Sequence, residues 1–190
     1  MIKTILNKHL LTLAILVAVA FEAYSQQQYK SLDGRIIFSS SKNMNMLSAF
    51  SENVLTHIIP AKNKISFKVQ ITSFNFSNCS RLVEKLFNDV YLESHKYHWA
   101  QFEGRTIDTI NFEKSGEYLV SVKGNLTIHG VEKERIIQGK ITVRDTKHIG
   151  FDSTFPVLLS DHNIGILPDD IARLSDTIEV QVSTAIKMDK

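Results

Sequence analysis

Residues 65–72 read Ile65-Ser66-Phe67-Lys68-Val69-Gln70-Ile71-Thr72, so every odd-numbered side chain is apolar and every even-numbered one is polar. Successive side chains of a strand point to opposite faces of a sheet, so this alternation predicts a strand with one buried face. The same period of two recurs more or less cleanly in seven further segments: 35–40, 52–59, 100–105, 118–123, 134–143, 151–159 and 178–182. The sequence therefore predicts eight strands.

One segment has a helical period instead. Leu82, Leu86 and Val90 recur every four residues, with Val83 and Phe87 beside them. This spacing predicts one apolar stripe on a helix near residues 78–90. Many antiparallel strands with one covering helix indicate a mainly β protein, either a closed barrel or a sandwich.

The first 25 residues have the layout of a secretory signal peptide. Lys3 and Lys8 precede an apolar run, 10–21, that is too short to span a bilayer comfortably. Small residues at Ala23 and Ser25 suit a signal-peptidase site. We expect residues 1–25 to be removed, leaving residues 26–190 as a single periplasmic or secreted domain without a stable membrane anchor. A retained N-terminal anchor helix is the alternative.

Charge and cysteine content narrow the choice of partners. Removing Lys3, Lys8 and Glu22 from 22 basic and 20 acidic residues leaves 20 and 19, a net charge of +1. Without a basic stripe, we expect no nucleic-acid partner. Cys79 is the single cysteine of the chain, so no internal disulfide can form. We interpret Cys79 as a small buried residue rather than a reactive thiol.

Two contiguous motifs carry a family resemblance. Residues 91–104 read YLESHKYHWAQFEG, and residues 124–133 read GNLTIHGVEK. Both resemble the YceI-like family, in which the first motif is a helix end that leads into a strand carrying A-x-F and the second is a G-x-L-T-I-H-G-V-x-K turn. A looser likeness continues through 155–157, 161–164 and 178–182. The resemblance implies a lipocalin-like antiparallel barrel with one helix that is exported to the periplasm. It also implies binding of long isoprenoid or other amphiphilic lipids, without a cofactor.

The inward faces of such a barrel would form the ligand site. They supply nine candidate ligand-binding residues: Phe38, Leu55, Phe67, Val69, Phe102, Tyr118, Val120, Phe155 and Val180. Phe74 and Phe76 are in phase with each other but not with Ile71, so a bulge or bend must intervene. These two rings would suit the mouth of a cavity, or they would pack under the helix. Tyr97, His95 or His57 could hold a polar headgroup.

Catalytic and metal sites are the weaker interpretations. His95, His98 and His129 could form a three-histidine site, but hydrogen bonds at turns explain the same residues more simply. Glu93 is the best isolated carboxylate, with pairing at the helix end as the simpler role. Without a patterned carboxylate or a cysteine ligand we expect no metal, and without a nucleophile elbow we expect no enzyme.

Two function classes stay open from the sequence. One is a carrier for an amphiphilic lipid, and the other is a secreted interaction or structural module with a fully packed barrel. Alternation marks inward positions but does not tell a filled interior from a hollow one. The sequence also leaves a homodimer open.

Overall fold

The structure is a computed structural model that describes residues 28–40, 47–77, 79–167 and 175–188. The predicted signal peptide lies outside the described residues. Within them the chain forms nine strands: β1 (Tyr29–Ser40), β2 (Leu47–Ile59), β3 (Lys64–Gln70), β4 (Asn75–Ser77), β5 (Trp99–Thr106), β6 (Gly116–Ile128), β7 (Val131–Asp145), β8 (His148–Leu158) and β9 (Thr177–Met188).

Eight of these strands close into a ring. The sheet order is β1-β9-β8-β7-β6-β5-β3-β2-β4, and β1 also pairs with β2. Every pairing is antiparallel, and the short strand β4 continues the line of β3 along one edge of β2, since β1 occupies the other edge. The predicted antiparallel barrel of eight strands is confirmed. Closure pairs both edges of every strand in the ring, which removes the exposed edges that favour aggregation.

The helix predicted near residues 78–90 is present in the described part of the chain, but only one side of its predicted stripe faces the barrel. Ser80 caps α1 (Arg81–Leu86) by accepting a hydrogen bond from the Val83 backbone N–H, and a π-helical turn continues from Phe87 to Tyr91. The middle of the predicted stripe, Leu82, Leu86 and Val90, is exposed to solvent, with Leu82 77% exposed. The inner face carries Phe87, which was predicted at the side of that stripe, together with Tyr91. Aromatic rings bury more area than aliphatic side chains do, which favours this orientation.

The chain bends between strand β3 and Phe74. Strand β3 ends at Gln70, and a 3-10 turn from Ile71 to Ser73 precedes Phe74. The predicted bend is confirmed, and it shortens the strand expected over 65–72. The turn changes the phase of the chain, so that Phe74 and Ile71 are both buried.

The two ends of the barrel are covered by different segments. At one end, here called the packed end, Phe112 from the β5–β6 loop is buried and stacks on Tyr29 with ring centroids 6.1 Å apart. Tyr29 Oη donates a hydrogen bond of 2.8 Å to the Thr146 carbonyl in the β7–β8 turn. At the other end, here called the cavity end, the covering segments are α1 with its π-helical turn and a 3-10 turn over residues 159–162.

Candidate functional site

The cavity end encloses a space that reaches into the middle of the barrel. Phe67 of β3 and Phe151 of β8 form its floor, with ring centroids 4.9 Å apart. One inward position closer to the packed end, Ile65 and Ile149 are fully buried and no longer line the space. The floor therefore separates a hollow half of the barrel from a filled half.

The shape of this space is long and narrow. It measures about 1240 Å³, a figure that takes in space open to solvent, and about 120 Å³ of it lies more than a water radius from the wall. Of the described residues that line it, all but four are hydrophobic; the four are Ser40, Gln101, His162 and Ser175. A narrow apolar bore suits one hydrocarbon chain better than a broad, flat ligand.

An unbroken run of aromatic rings forms one side of the cavity end. Phe38 contacts Phe74 and Phe76, with ring centroids 5.0 and 5.8 Å apart. Phe76 contacts Phe87 at 5.4 Å, and Phe87 contacts Tyr91 at 5.0 Å. Each aromatic pair adds about 0.5–1.5 kcal/mol beyond the area it buries. The run joins β1 to the helix and so fixes the helix over the barrel.

Seven of the eleven predicted ligand-binding residues line this cavity. They come from both sides of the ring: Phe38, Phe67, Val69, Phe74, Phe102, Phe155 and Val180. Three cross-strand pairs are among them: Phe67 with Phe102, Phe155 with Val180, and Phe38 with Val180. The alternating strands thus bring together most of the predicted residues.

The other four predicted residues lie elsewhere. Leu55 was expected to point inward, but it is 40% exposed, because Val54 and Thr56 on either side of it are the buried positions of β2. Phe76 lies between Phe38 and Phe87, on the same face of the sheet as Phe38, but does not belong to the described lining.

Val120 and Tyr118 of β6 are turned inward, but toward the packed end. Val120 is 1% exposed and belongs to the filled core, below the floor of the cavity. Half-buried Tyr118 packs against that core and donates a hydrogen bond of 3.0 Å from its hydroxyl to the Lys114 carbonyl. Alternation gave the correct face for both residues but not their depth along the barrel axis.

Several lining residues lie outside the predicted set. Ile178 and Val182 are in phase with Val180, and Phe151 is in phase with Phe155, so the period of two could have identified them. His162 and Ile164 lie in the irregular segment between β8 and β9, where the sequence has no periodic pattern.

A polar cluster ties three covering segments together beside the cavity. His129, in the β6–β7 turn, places Nε2 2.6 Å from Glu93 Oε2 and Nδ1 3.2 Å from the His162 carbonyl. Both partners are acceptors, so the ring satisfies both when both of its nitrogens carry hydrogen. Tyr97 packs edge-on against the same ring, with centroids 4.4 Å apart. Glu93 therefore pairs at the helix end, as the simpler interpretation predicts.

The predicted headgroup and metal residues do not gather around the cavity. His57 is hydrogen-bonded to Gln28 at 2.9 Å, and His98 Nδ1 lies 2.9 Å from the Ser94 carbonyl. None of His57, His95 and Tyr97 belongs to the described lining. Across the described ranges, no group of three or more His, Cys, Asp or Glu side chains could hold a metal ion. Cys79 is half-buried, and burial raises the pKa of its thiol.

His162 is the polar side chain that the structure places in the cavity wall. It ends the 3-10 turn of residues 159–162 and is fully buried. Its Nδ1 lies 3.0 Å from the Val131 carbonyl, whereas Nε2 is shielded from solvent and has no hydrogen-bond partner in the described part of the chain. Burial is the main cause that lowers the pKa of His162 below its usual range, and the charge of Arg135 acts in the same direction.

The closed ring, the helix over one end and the apolar cavity agree with a comparison of the whole sequence. The sequence model of the YceI-like domain matches residues 29–186. The chain belongs to the YceI-like family. The matched span covers all eight strands of the ring and both segments that cover the cavity end.

Solved structures with the same fold are distant in sequence from this YceI-like domain. A polyisoprenoid-binding domain of Saccharophagus degradans implicated in plant cell wall breakdown is 15% identical, with a TM-score of 0.71 over 85% of this chain and 98% of that one. BcnA of Burkholderia cenocepacia is 15% identical, with a TM-score of 0.61 over 80% and 95%. The YceI protein of Campylobacter jejuni is 20% identical, with a TM-score of 0.53 over 84% and 86%. The comparison with curated proteins gives no match.

Proposed function

We propose that this YceI-like protein binds a single-chain amphiphilic lipid, isoprenoid or fatty-acid-like, in the cavity and carries or sequesters it outside the cytoplasm. The observation that carries the proposal is the narrow apolar space above the floor formed by Phe67 and Phe151. A packed structural module would need no such space, because protein interiors are filled to the density of organic crystals.

The energy of chain burial is large enough for this function. Moving a hydrocarbon chain out of water gains about 0.8 kcal/mol per CH₂ group, or about 12–16 kcal/mol for a chain of about 15–20 carbons. Half of that gain offsets much of the cost of association, which is about 4–15 kcal/mol. Binding therefore needs no dedicated polar chemistry along most of the chain.

Two further observations support a lipid carrier over an enzyme. The polyisoprenoid-binding domain of Saccharophagus degradans shares this fold over almost its full length. The polar cluster around His129 consists of paired groups that join covering segments, and its members Glu93 and Tyr97 do not belong to the described lining. We therefore assign the site to binding, not to catalysis.

Native mass spectrometry of protein purified from its own cell envelope tests the proposal. We expect a bound species with the mass of a single-chain lipid, released when the protein unfolds. Repeated purification without any adduct would count against a carrier, provided that isoprenoid alcohols, isoprenoid quinones and fatty acids also fail to bind in vitro.

A chain-length series then tests where the ligand lies. Alcohols of about 10, 15 and 20 carbons, compared by displacement of a fluorescent lipid, should bind more tightly with each added CH₂ until the cavity is filled. An affinity that does not change with chain length would indicate adsorption on the outer surface, not binding in the barrel.

Export is part of the same proposal and rests on the apolar run 10–21 and the small residues Ala23 and Ser25. In the part of the chain that the structure describes, no helix is both long and apolar enough to cross a bilayer. N-terminal sequencing of protein from a soluble envelope extract should find Gln26 as the first residue. Protein that keeps Met1 and stays in the membrane pellet would instead be anchored.

A further inference from the structure

His162 differs from every other described residue that lines the cavity. It is the one described lining residue with a buried polar side-chain atom, Nε2, that has no hydrogen-bond partner. Native proteins rarely leave such atoms unpaired, and each one costs about 1–3 kcal/mol while it stays so. An unpaired polar atom in the wall of an otherwise apolar cavity therefore points to a group that arrives with the ligand.

The hydrogen-bond geometry decides what kind of group this is. The Val131 carbonyl, 3.0 Å from His162 Nδ1, can only accept, so Nδ1 carries the hydrogen and donates it. In the neutral ring Nε2 then holds a lone pair and can only accept. The low pKa of His162, caused mainly by burial, keeps the ring neutral near pH 7.

The backbone around His162 is held in place from several sides. His129 Nδ1 lies 3.2 Å from the His162 carbonyl, and Arg135 donates a hydrogen bond of 2.8 Å to the neighbouring Asp161. Asp176 accepts two further hydrogen bonds from Ser160 in the same turn. With Nδ1 already engaged, Nε2 is the ring atom that is left for a new hydrogen bond.

We propose that His162 selects lipids whose polar end is a hydroxyl that donates a hydrogen bond to Nε2. This inference rests on the proposed function, since it places the ligand in the same cavity. Long-chain alcohols and chain-bearing phenols carry such a donor, whereas ethers, quinones and ionised carboxylates offer only acceptors. Because Nε2 is covered by its neighbours, binding includes a side-chain rearrangement that brings the hydroxyl within hydrogen-bond distance.

Three ligands with one chain test the inference on the wild-type protein. Geranylgeraniol, its methyl ether and geranylgeranoic acid at pH 7.5 are compared by displacement of a fluorescent lipid. We expect the alcohol to bind about tenfold more tightly than the ether, a factor that corresponds to about 1.4 kcal/mol. The acid, ionised at this pH, should also bind more weakly than the alcohol. A second pair, a phenol with the same chain and its methyl ether, shows which source of hydroxyl is preferred.

The outcomes separate the two proposals. Equal affinities for alcohol and ether overturn the role of His162 but leave the lipid carrier standing. If none of these ligands binds, the present inference falls, and the proposed function falls with it when isoprenoid quinones and fatty acids also fail to bind.

A variant assigns the discrimination to His162. In His162→Phe the ratio between alcohol and ether should fall to within about twofold, because the acceptor is gone. His148→Gln is the matched control, since His148 is exposed and bonded to Asp145 on the opposite side of the barrel from the cavity end, and its ratio should not change. A persistent tenfold ratio in folded His162→Phe would overturn the proposal.

A measurement on the wild-type protein covers the case in which His162→Phe does not fold. Nitrogen-15 NMR of the histidine rings distinguishes a neutral ring with hydrogen on Nδ1 from the other tautomer and from the charged ring. We expect the first form for His162 at pH 7, with a change in the Nε2 resonance when geranylgeraniol binds. Hydrogen on Nε2 in the ligand-free protein would overturn the inference.

Discussion

The two ends of the barrel are built from the same alternating strands, yet one end is filled and the other is hollow. At the packed end, Phe112 folds into the barrel and stacks on Tyr29. At the cavity end, the covering helix and the 3-10 turn of residues 159–162 lie across the ring, and the inward side chains of the strands face a space. The difference therefore arises from the covering segments, because the strands supply mainly apolar inward faces in both halves.

This contrast shows how a binding site and a stable core can coexist in a small domain. The floor of Phe67 and Phe151 marks the boundary between the two halves. Below it, the inward side chains are buried and border no part of the cavity, so that loss of a methyl group is felt directly. Above it, side chains already border a space, so that substitutions should change ligand affinity more than stability.

The largest expected effect comes from truncation at the packed end. Ile65 is 1% exposed below the floor, so Ile65→Ala should lower the free energy of unfolding by about 2–5 kcal/mol. Ile178→Ala, in the cavity wall, removes the same atoms where space already exists, and should cost less than about 2 kcal/mol. Urea denaturation measures both. Equal costs for the two variants would contradict the division into a filled and a hollow half.

Enlarging a side chain should lower stability at the packed end and lipid binding at the cavity end. Val120→Phe overpacks the filled core and should cost about 1–3 kcal/mol. Val180→Phe places the added ring in the cavity and should leave stability within about 1 kcal/mol of the wild type while blocking lipid uptake. Thermal unfolding and lipid displacement are measured on both proteins. Normal lipid binding by Val180→Phe would show that the chain lies elsewhere.

The pH dependence of stability tests the covering turn at the cavity end. The pKa of folded His162 is lowered from its ordinary value of 6.5, so between the folded and unfolded values the unfolded state binds more protons. Stability therefore rises with pH through this window and is lost on acidification below about 6.5, by at most about 1.4 kcal/mol per pH unit for one proton.

Urea denaturation at pH 7.5, 6.5, 5.5 and 4.5 measures this slope. His162→Gln should flatten it below pH 6.5, because the titrating ring is absent, whereas His95→Gln, at an exposed histidine outside the described lining, serves as the control and should keep it. Identical slopes for the wild type and His162→Gln would mean that His162 titrates alike in both states.

The smallest effect is expected on the outer face of the helix. Leu82 is 77% exposed, so Leu82→Gln should change stability by less than about 0.5 kcal/mol and leave lipid binding unchanged. Phe87→Gln, on the inner face, should weaken both, because Phe87 lines the cavity and contacts Phe76 and Tyr91. A large loss of stability in Leu82→Gln would indicate that Leu82 is buried, as the predicted helix stripe requires.

The sequence by itself determined the class of fold and most of the cavity wall. The segments that a period of two predicts as strands, such as 65–72 and 178–182, form strands of the ring with their apolar side chains inward. Local backbone geometry imposes that period on any strand, so it needs no knowledge of the rest of the chain. The motifs at 91–104 and 124–133 identified the family from the sequence as well, because each is a contiguous stretch.

Only the tertiary structure decided how deep each inward residue lies in the barrel, which helix face covers the cavity end, and which polar side chain lies in the cavity wall. Val120 and Val180 are equivalent in their strands, but one lies in a filled core and the other in a cavity wall. The helix buries Phe87 and Tyr91 instead of Leu82. On that side Phe87 contacts the ring of Phe76, which in turn contacts Phe38. His162 gains its environment from Val131, His129 and Arg135, residues far from it in sequence. Such contacts form between segments that are far apart in the sequence, so the alternation along one strand cannot predict them.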